Sequence, residues 1–175
     1  MTVFTIGHST RSTDEFIGLL QQAAIERVVD VRAIPHSRTN PQFNIDVLRA
    51  SLAAAGIDYL HLAALGGRRH RAKGAPPSPN PLWRHVSFRN YADYAMSDAF
   101  RSGLDELESR ALAQRCAIMC SEAVWWRCHR RIISDYLLAD GIAVAHIMGP
   151  GKIDPATLTP GATPLGDRRI AYPAG

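Results

Sequence analysis

Short apolar runs alternate with longer amphipathic segments along this chain. Five runs are rich in apolar residues, several of them β-branched, and are too brief for helices, so each predicts a strand. These runs are Thr2–Ile6, Arg27–Val31, Asp58–His61, Cys116–Met119 and Ile142–Ile147. Between them, apolar residues recur at spacings of three and four, which predicts helices. The helical segments cover about residues 13–23, 44–55, 88–96, 98–113 and 130–139.

The alternation of strands with helices predicts one three-layer α/β domain. In such a fold a mainly parallel sheet, here of about five strands, carries helices on both faces. A chain of 175 residues is long enough for one such domain and too short for two ordinary ones. We expect residues 1–148 to form the α/β domain. The Gly- and Pro-rich residues 149–175 predict an irregular tail that packs on the domain or on a partner.

Composition narrows the class of protein. No apolar run approaches the roughly 20 residues that span a bilayer, so a membrane partner is not expected. The N-terminus lacks the features of a signal peptide, and three cysteines do not form a secreted disulfide framework. These features favour a cytoplasmic protein with free thiols. The net charge is +4, and residues 68–73, here called the basic loop, hold four positive charges. This loop is either a solvated surface or a device that attracts anions.

Polar and charged residues follow four successive predicted strands. Caps and turns account for Ser, Thr and Asn at such junctions, but not for His, Arg, Cys and Glu. Because parallel strands end at one edge of the sheet, these residues predict a composite site there. In chain order they include His8, Ser9, Asp30, Arg32, Ser37, Arg68, Cys120, Glu122, Cys128, His129 and Arg130.

The thiol segment, residues 119–130, is the densest part of this set, and three interpretations of it stay open. In the first, Cys128 is a nucleophile at a helix N-terminus, which favours its thiolate. In the second, Cys120, Cys128 and His129 bind a metal ion. In the third, the thiols are small buried hydrophobes and the arginines bind phosphate. The spacing excludes a Cys-x5-Arg anion loop, a Cys-x-x-Cys redox motif and a Gly-x-x-x-x-Gly-Lys phosphate loop.

The motifs also resemble those of the domain of unknown function 488 family. The resemblance covers about residues 3–147, with the motifs in the expected order. It implies a compact bacterial-type α/β domain and supplies no reaction. The motifs are Thr5–Ser9, Val29–Arg32 with Pro35 and Ser37, Leu65–Gly67, Tyr91–Met96, Met119–Glu122 and Cys128–Arg130.

Together these patterns favour an enzyme that binds a small anionic or phosphorylated substrate at the edge of the sheet. The catalytic candidates are Cys128, Glu122, His8 and Asp30, and the substrate-binding candidates are Arg32, Ser9, Ser37, Arg68, Arg130 and Trp125. A nucleic-acid-binding or repair-associated module is the alternative, since aromatic side chains beside arginines stack on bases. A metal-binding protein is a further alternative. The sequence indicates no particular cofactor and leaves a homo-oligomer open.

Overall fold

The computed structural model of the protein describes residues 1–175 and contains six strands in one sheet. The strands are β1 (Thr2–Gly7), β2 (Arg27–Asp30), β3 (Asp58–His61), β4 (Cys116–Cys120), β5 (Ala143–Gly149) and β6 (Lys152–Pro155). The helices are α1 (Thr13–Gln22), α2 (Ile45–Ala54), α3 (Val86–Ala95), α4 (Asp98–Ala113) and α5 (Arg130–Ala139). Two further strands, β7 (Thr163–Pro164) and β8 (Ile170–Ala171), pair with each other near the C-terminus.

The sheet has the order β3-β2-β4-β1-β5-β6, and its first five strands are parallel. The prediction of a mainly parallel α/β fold is therefore confirmed, with every predicted strand present. The antiparallel strand β6 was not predicted. Its residues are largely exposed at the sheet edge, so they carry no run of apolar positions that would mark a strand.

Helices cover both faces of the sheet and divide the core into two parts. Helices α1 and α2 pack on one face, where Phe16 and Leu48 contact the apolar side chains of β1, β2 and β4. Helices α3, α4 and α5 pack on the other face, and their core residues include Tyr91, Phe100 and Ile133. Strand β4 contributes side chains to both parts of the core, because successive side chains point to alternate faces of the sheet. Its residues Cys116 to Cys120 are all buried.

The C-terminal segment lies against the body of the domain. Strand β6 pairs with β5, and Tyr172 is fully buried. The Tyr172 hydroxyl donates to Asp135 Oδ2 at 2.8 Å, and its backbone N–H donates to Asn80 Oδ1 at 2.9 Å. Thr159 N–H donates to Asp135 Oδ1 at 2.8 Å. These bonds satisfy the buried Asp135 and attach the segment to helix α5.

None of the helices is both long and apolar enough to cross a membrane.

Candidate functional site

The candidate site lies where two neighbouring strands send their connections to opposite faces of the sheet. Strands β1 and β4 are adjacent. The chain leaves β1 toward α1 on one face and leaves β4 toward α5 on the other. Ligands of open α/β sheets bind in the crevice that such a divergence creates, at the carboxyl ends of the strands. Helix α5, which follows the thiol segment, begins at this edge.

The turn after β1 and the turn after β4 are bonded directly to each other. His8 N–H donates to Cys120 O at 2.9 Å, and Ser9 N–H donates to Ser121 O at 3.0 Å. A Cβ atom on Gly7 would lie 1.8 Å from the carbonyl oxygen of Glu122. Only glycine permits this close approach without a backbone shift, which explains why a glycine precedes His8.

A cavity of about 440 Å³ opens at this edge of the sheet. Its walls carry three arginines (Arg32, Arg68 and Arg127) and a single carboxylate, Glu122. The other lining residues with reactive or hydrogen-bonding side chains are His8, His36, Ser37, Ser87, Tyr91, Cys120, Ser121, Cys128 and His129. The excess of positive charge favours an anionic occupant.

Arg130 and His129 both contact the sulfur of Cys128. The backbone N–H and the Nε–H of Arg130 both point at Cys128 Sγ from 3.5 Å. His129 Nδ1 lies 3.6 Å from the same sulfur. His129 Nε2 is 2.7 Å from Val31 O and must donate to it, since a carbonyl can only accept. The second ring nitrogen, Nδ1, is therefore the one that faces the thiol.

The two thiols of the cavity have opposite acidities. Burial alone would raise the pKa of Cys128, but the hydrogen bond from Cys120, the charge of His129 and Arg130 together hold this pKa well below its usual value. Burial raises the pKa of Cys120 well above its usual value, and its hydrogen bond to Cys128 raises it further. Burial also raises the pKa of Cys116 to about 11. Of the two cavity thiols, Cys128 is therefore the one that loses its proton more readily.

Arg130 is directed into the protein and not toward the cavity. It is 1% exposed, and its Nη2 donates to Glu122 O at 2.6 Å while Nη1 donates to Thr5 Oγ1 at 3.2 Å. Arg130, which the sequence predicted to bind an anion, therefore fixes the positions of Cys128 and of the turn after β4. No side-chain group of Arg130 lines the cavity.

Asp30, on the other face of the sheet, fixes the position of Arg32. Its carboxylate accepts from Arg32 Nε at 2.9 Å and from Nη2 at 2.7 Å, and Tyr59 OH donates to the same carboxylate at 2.5 Å. The remaining terminal nitrogen of Arg32, Nη1, lies 3.4 Å from His8 Nε2 in the cavity wall. Asp30 is fully buried and acts on the cavity through Arg32.

His8 presents an unprotonated nitrogen to the cavity. Its Nδ1 is 2.8 Å from Ser9 O and donates to that carbonyl, which leaves Nε2 as the acceptor. Burial lowers the pKa of His8, and the charge of Arg32 lowers it further. The ring also stacks on Phe43 with centroids 4.2 Å apart. His8 is thus a neutral, fixed base at physiological pH.

The remaining predicted site residues fall into two groups. Glu122, Ser37 and Arg68 line the cavity. Ser9 and Trp125 do not, and Trp125 stacks on His146 of β5 with centroids 4.4 Å apart.

The basic loop contributes one arginine to the cavity. Arg68 is exposed in the wall. Arg69 lies 3.8 Å above the Tyr94 ring and donates to Ala63 O at 2.8 Å. Arg71 pairs with Asp93 at 3.6 Å. Two of the four charges are therefore committed to internal contacts.

Two tyrosines that support the site were not singled out for it from the sequence. Tyr91 OH donates to Leu65 O at 2.7 Å, and Tyr94 OH donates to Ala64 O at 2.6 Å. They hold the Leu65–Gly67 turn so close that a Cβ atom on Gly67 would lie 3.1 Å from His129 Nδ1. The spacing of three residues on α3 was the available signal, because it places both hydroxyls on one face of the helix.

Fold and site together define a mainly parallel α/β protein with a Cys/Cys/His cluster at the carboxyl edge of its sheet. The family model described as domain of unknown function DUF488 matches residues 12–137, so the chain belongs to that family. The match includes both cavity thiols, Arg32 and His129, and begins after the turn that carries His8. Neither the curated proteins nor the solved structures yielded a match.

Proposed function

We propose that this protein is a cysteine-dependent enzyme that acts on a small anionic substrate, with Cys128 as its nucleophile. One observation carries the proposal. Cys128 lines an arginine-bearing cavity, and its Sγ atom lies 3.6 Å from His129 Nδ1 and accepts two hydrogen bonds from Arg130. A thiolate is the reactive form of cysteine, and cationic donors around the sulfur favour it.

The cavity suits a small molecule better than a polymer. Its volume of about 440 Å³ is within the range of small-molecule sites, whereas a nucleic acid needs a long open positive groove. Arg68 and Arg127 are exposed in its wall, and Arg32 adds Nη1. Arginines bind phosphate and carboxylate groups by paired N–H donors. These side chains orient the anion so that its electrophilic atom faces Cys128.

The other cavity residues supply proton transfer. In the first half-reaction Cys128 Sγ attacks the electrophilic atom and displaces a leaving group. In the second half-reaction a water molecule or another acceptor releases the covalent intermediate. His8 Nε2 is the acceptor nitrogen in the wall and takes the proton of this second nucleophile. Glu122 is exposed beside the thiols and is the second side chain of the cavity that can take part in proton transfer.

Paired alkylation reagents test both parts of the proposal, because iodoacetate is anionic and iodoacetamide is neutral. Cys128 should react first with either reagent, as judged by peptide mapping. Replacing both Arg68 and Arg127 by Ala should slow carboxymethylation of Cys128 about tenfold, equivalent to about 1.4 kcal/mol. The same change should leave the reaction with iodoacetamide within about twofold, since it removes attraction and not nucleophilicity.

Lys73→Ala is the matched control, because Lys73 belongs to the basic loop and does not line the cavity. Equal slowing of both reagents, or equal effects of the control, would contradict an anion-selecting cavity. Cys128 reacting no faster than Cys116 would contradict the nucleophile. Any turnover of phosphate monoesters or thioesters found in a substrate screen must disappear in Cys128→Ser.

Metal binding is a second candidate function because the same cluster has the right donor atoms. Cys120 Sγ, Cys128 Sγ and His129 Nδ1 lie within 4.8 Å of one another. A backbone carbonyl fixes the tautomer of His129, as it does for many metal-ligating histidines. Zinc added to the reduced protein would then protect both thiols from iodoacetamide until a chelator is added. Unchanged alkylation in the presence of zinc excludes this function.

A further inference from the structure

We infer that Cys120 and Cys128 form a redox-active dithiol, which a hydroperoxide converts into an intramolecular disulfide. The inference rests on the proposed nucleophilic role of Cys128 and adds a second activity, peroxide reduction, to the same cavity. It assigns Cys120 the role of the resolving thiol.

The two sulfurs are already neighbours. Their Sγ atoms lie within 4.8 Å of each other in the wall of the same cavity. A disulfide of about 2 Å needs only that the two sulfurs close the remaining gap, which side-chain rotation and the short segment between them can provide. Cys116 cannot compete, because it lies four residues back along β4, roughly 13 Å away at 3.3 Å per residue.

The cavity gives a small oxidant access to the sulfur that reacts. Both thiols line the cavity although each is only 3–5% exposed, so a peroxide fits where a large molecule does not. Two N–H groups of Arg130 donate to Cys128 Sγ at 3.5 Å, and donors to the sulfur favour the thiolate, which attacks peroxide oxygen. Cys120 Sγ lies within 4.8 Å of Cys128 Sγ, where it can attack the oxidised sulfur.

The reaction balances in two steps. Cys128 S⁻ attacks one oxygen of hydrogen peroxide, the O–O bond breaks, and the departing hydroxide takes a proton from solvent to give Cys128–SOH and water. The Cys120 sulfur then attacks the Cys128 sulfur, and the S–O bond breaks. The departing hydroxide takes the Cys120 thiol proton as a second water. Two electrons pass from the thiols to the peroxide, and a dithiol reductant restores the starting state.

Peptide mapping after peroxide treatment tests the inference. Reduced full-length protein is treated with one equivalent of hydrogen peroxide, blocked with iodoacetamide and digested with trypsin without reduction. Cleavage after Arg115, Arg127 and Arg130 places Cys120 in residues 116–127 and Cys128 in residues 128–130. We expect these two peptides to be joined, with the protein still of unchanged size on a non-reducing gel.

The variants identify the partner thiol. Cys116→Ala should form the same disulfide, although residues 116–127 also contain Cys116. Cys120→Ser and Cys120→Ala should form none and should accumulate a sulfenic acid on Cys128 that dimedone traps. A disulfide lost in Cys116→Ala, or a cross-linked dimer, would overturn the assignment.

The same samples separate this inference from the proposed function. If Cys128 is alkylated readily but peroxide gives sulfinic acid and no disulfide, the dithiol inference fails and the nucleophile stands. If Cys128 is neither alkylated nor oxidised in native protein, both fail. Circular dichroism of each variant identifies those that have not folded, and the second Cys120 variant then supplies the result.

Discussion

The substitution His129→Gln separates the charge near Cys128 from the architecture around it. A glutamine amide can still donate to Val31 O, the bond that His129 Nε2 makes at 2.7 Å. It removes the imidazole whose Nδ1 lies 3.6 Å from Cys128 Sγ and whose charge is one cause of the lowered pKa of that thiol. The pKa of Cys128 should therefore rise while the fold changes little. Loss of the edge contact with Tyr91, whose centroid is 4.9 Å from the imidazole, should cost less than about 1.5 kcal/mol in the free energy of unfolding.

The expected size follows from Coulomb's law. Two unit charges about 4 Å apart attract by about 4 kcal/mol at an effective dielectric constant near 20. Each pKa unit corresponds to about 1.4 kcal/mol, so a permanent, unscreened charge would be equivalent to about 3 units. Solvent that enters the open cavity screens the pair and reduces this interaction. We therefore expect the pKa of Cys128 to rise, and its alkylation below that pKa to slow by about 10- to 100-fold.

The rate of iodoacetamide alkylation across pH measures this change, because only the thiolate reacts. Chelator-treated protein is used, and peptide mapping assigns each label to a thiol. The midpoint for Cys128 should move upward in His129→Gln. His36→Gln is the control, since His36 lines the same cavity but is not the histidine in contact with the thiol. An unmoved midpoint, or an equal movement in the control, would refute the role of the imidazolium.

Gly7→Ala should destabilise the protein by about 2–3 kcal/mol, because the new methyl group would meet a backbone oxygen at 1.8 Å. Gly18→Ala in helix α1 should instead stabilise the protein by up to about 1 kcal/mol, because no atom lies within 4 Å of the new methyl group. Urea unfolding measures the free energy of unfolding of both variants, and equal effects would contradict the packing argument. His146 has a pKa lowered to about 4 by burial and by Arg130. The unfolded chain therefore binds this proton first as the pH falls from about 6.5 to 4, and up to about 3 kcal/mol of stability is lost in that window. His146→Gln should lose less over the same range in pH-dependent unfolding, and parallel curves for the two proteins would contradict this.

Helices and strands could be predicted where the local sequence pattern matches the burial of the element in the folded protein. Helix α4 has the predicted bounds, and Ser97 caps it by accepting from Phe100 N–H at 3.3 Å. Ser12 caps helix α1, because its side chain accepts from Glu15 N–H at 3.1 Å. Strand β4 is apolar throughout because both faces of the sheet are covered, so it could be recognised from the sequence as a continuous apolar run. Strand β6 could not be recognised in this way, because its pairing with β5 needs no apolar side chains.

The clustering of Cys120, Cys128 and His129 was also determined by the sequence, since they lie within ten residues at one strand-to-helix junction. The sequence also favours the thiolate of Cys128, because this residue directly precedes a helix and lies beside His129 and Arg130. The contacts around that thiolate depend on the tertiary structure, since Arg130 bonds to Thr5 and the carbonyl of Val31 fixes His129, and both partners are distant in the chain.

Only the tertiary structure decided which predicted residues face the cavity. Trp125 stacks on His146 because β5 lies beside β1, and Asp30 is paired with Tyr59 because β3 lies beside β2. The strand order β3-β2-β4-β1-β5-β6 makes neighbours of segments up to about 140 residues apart, as the Thr5–His146 bond shows. Periodicity and caps act within a few residues and therefore determine the elements. Side-chain orientation at a shared edge follows from which strands are adjacent, and long-range packing alone determines that adjacency.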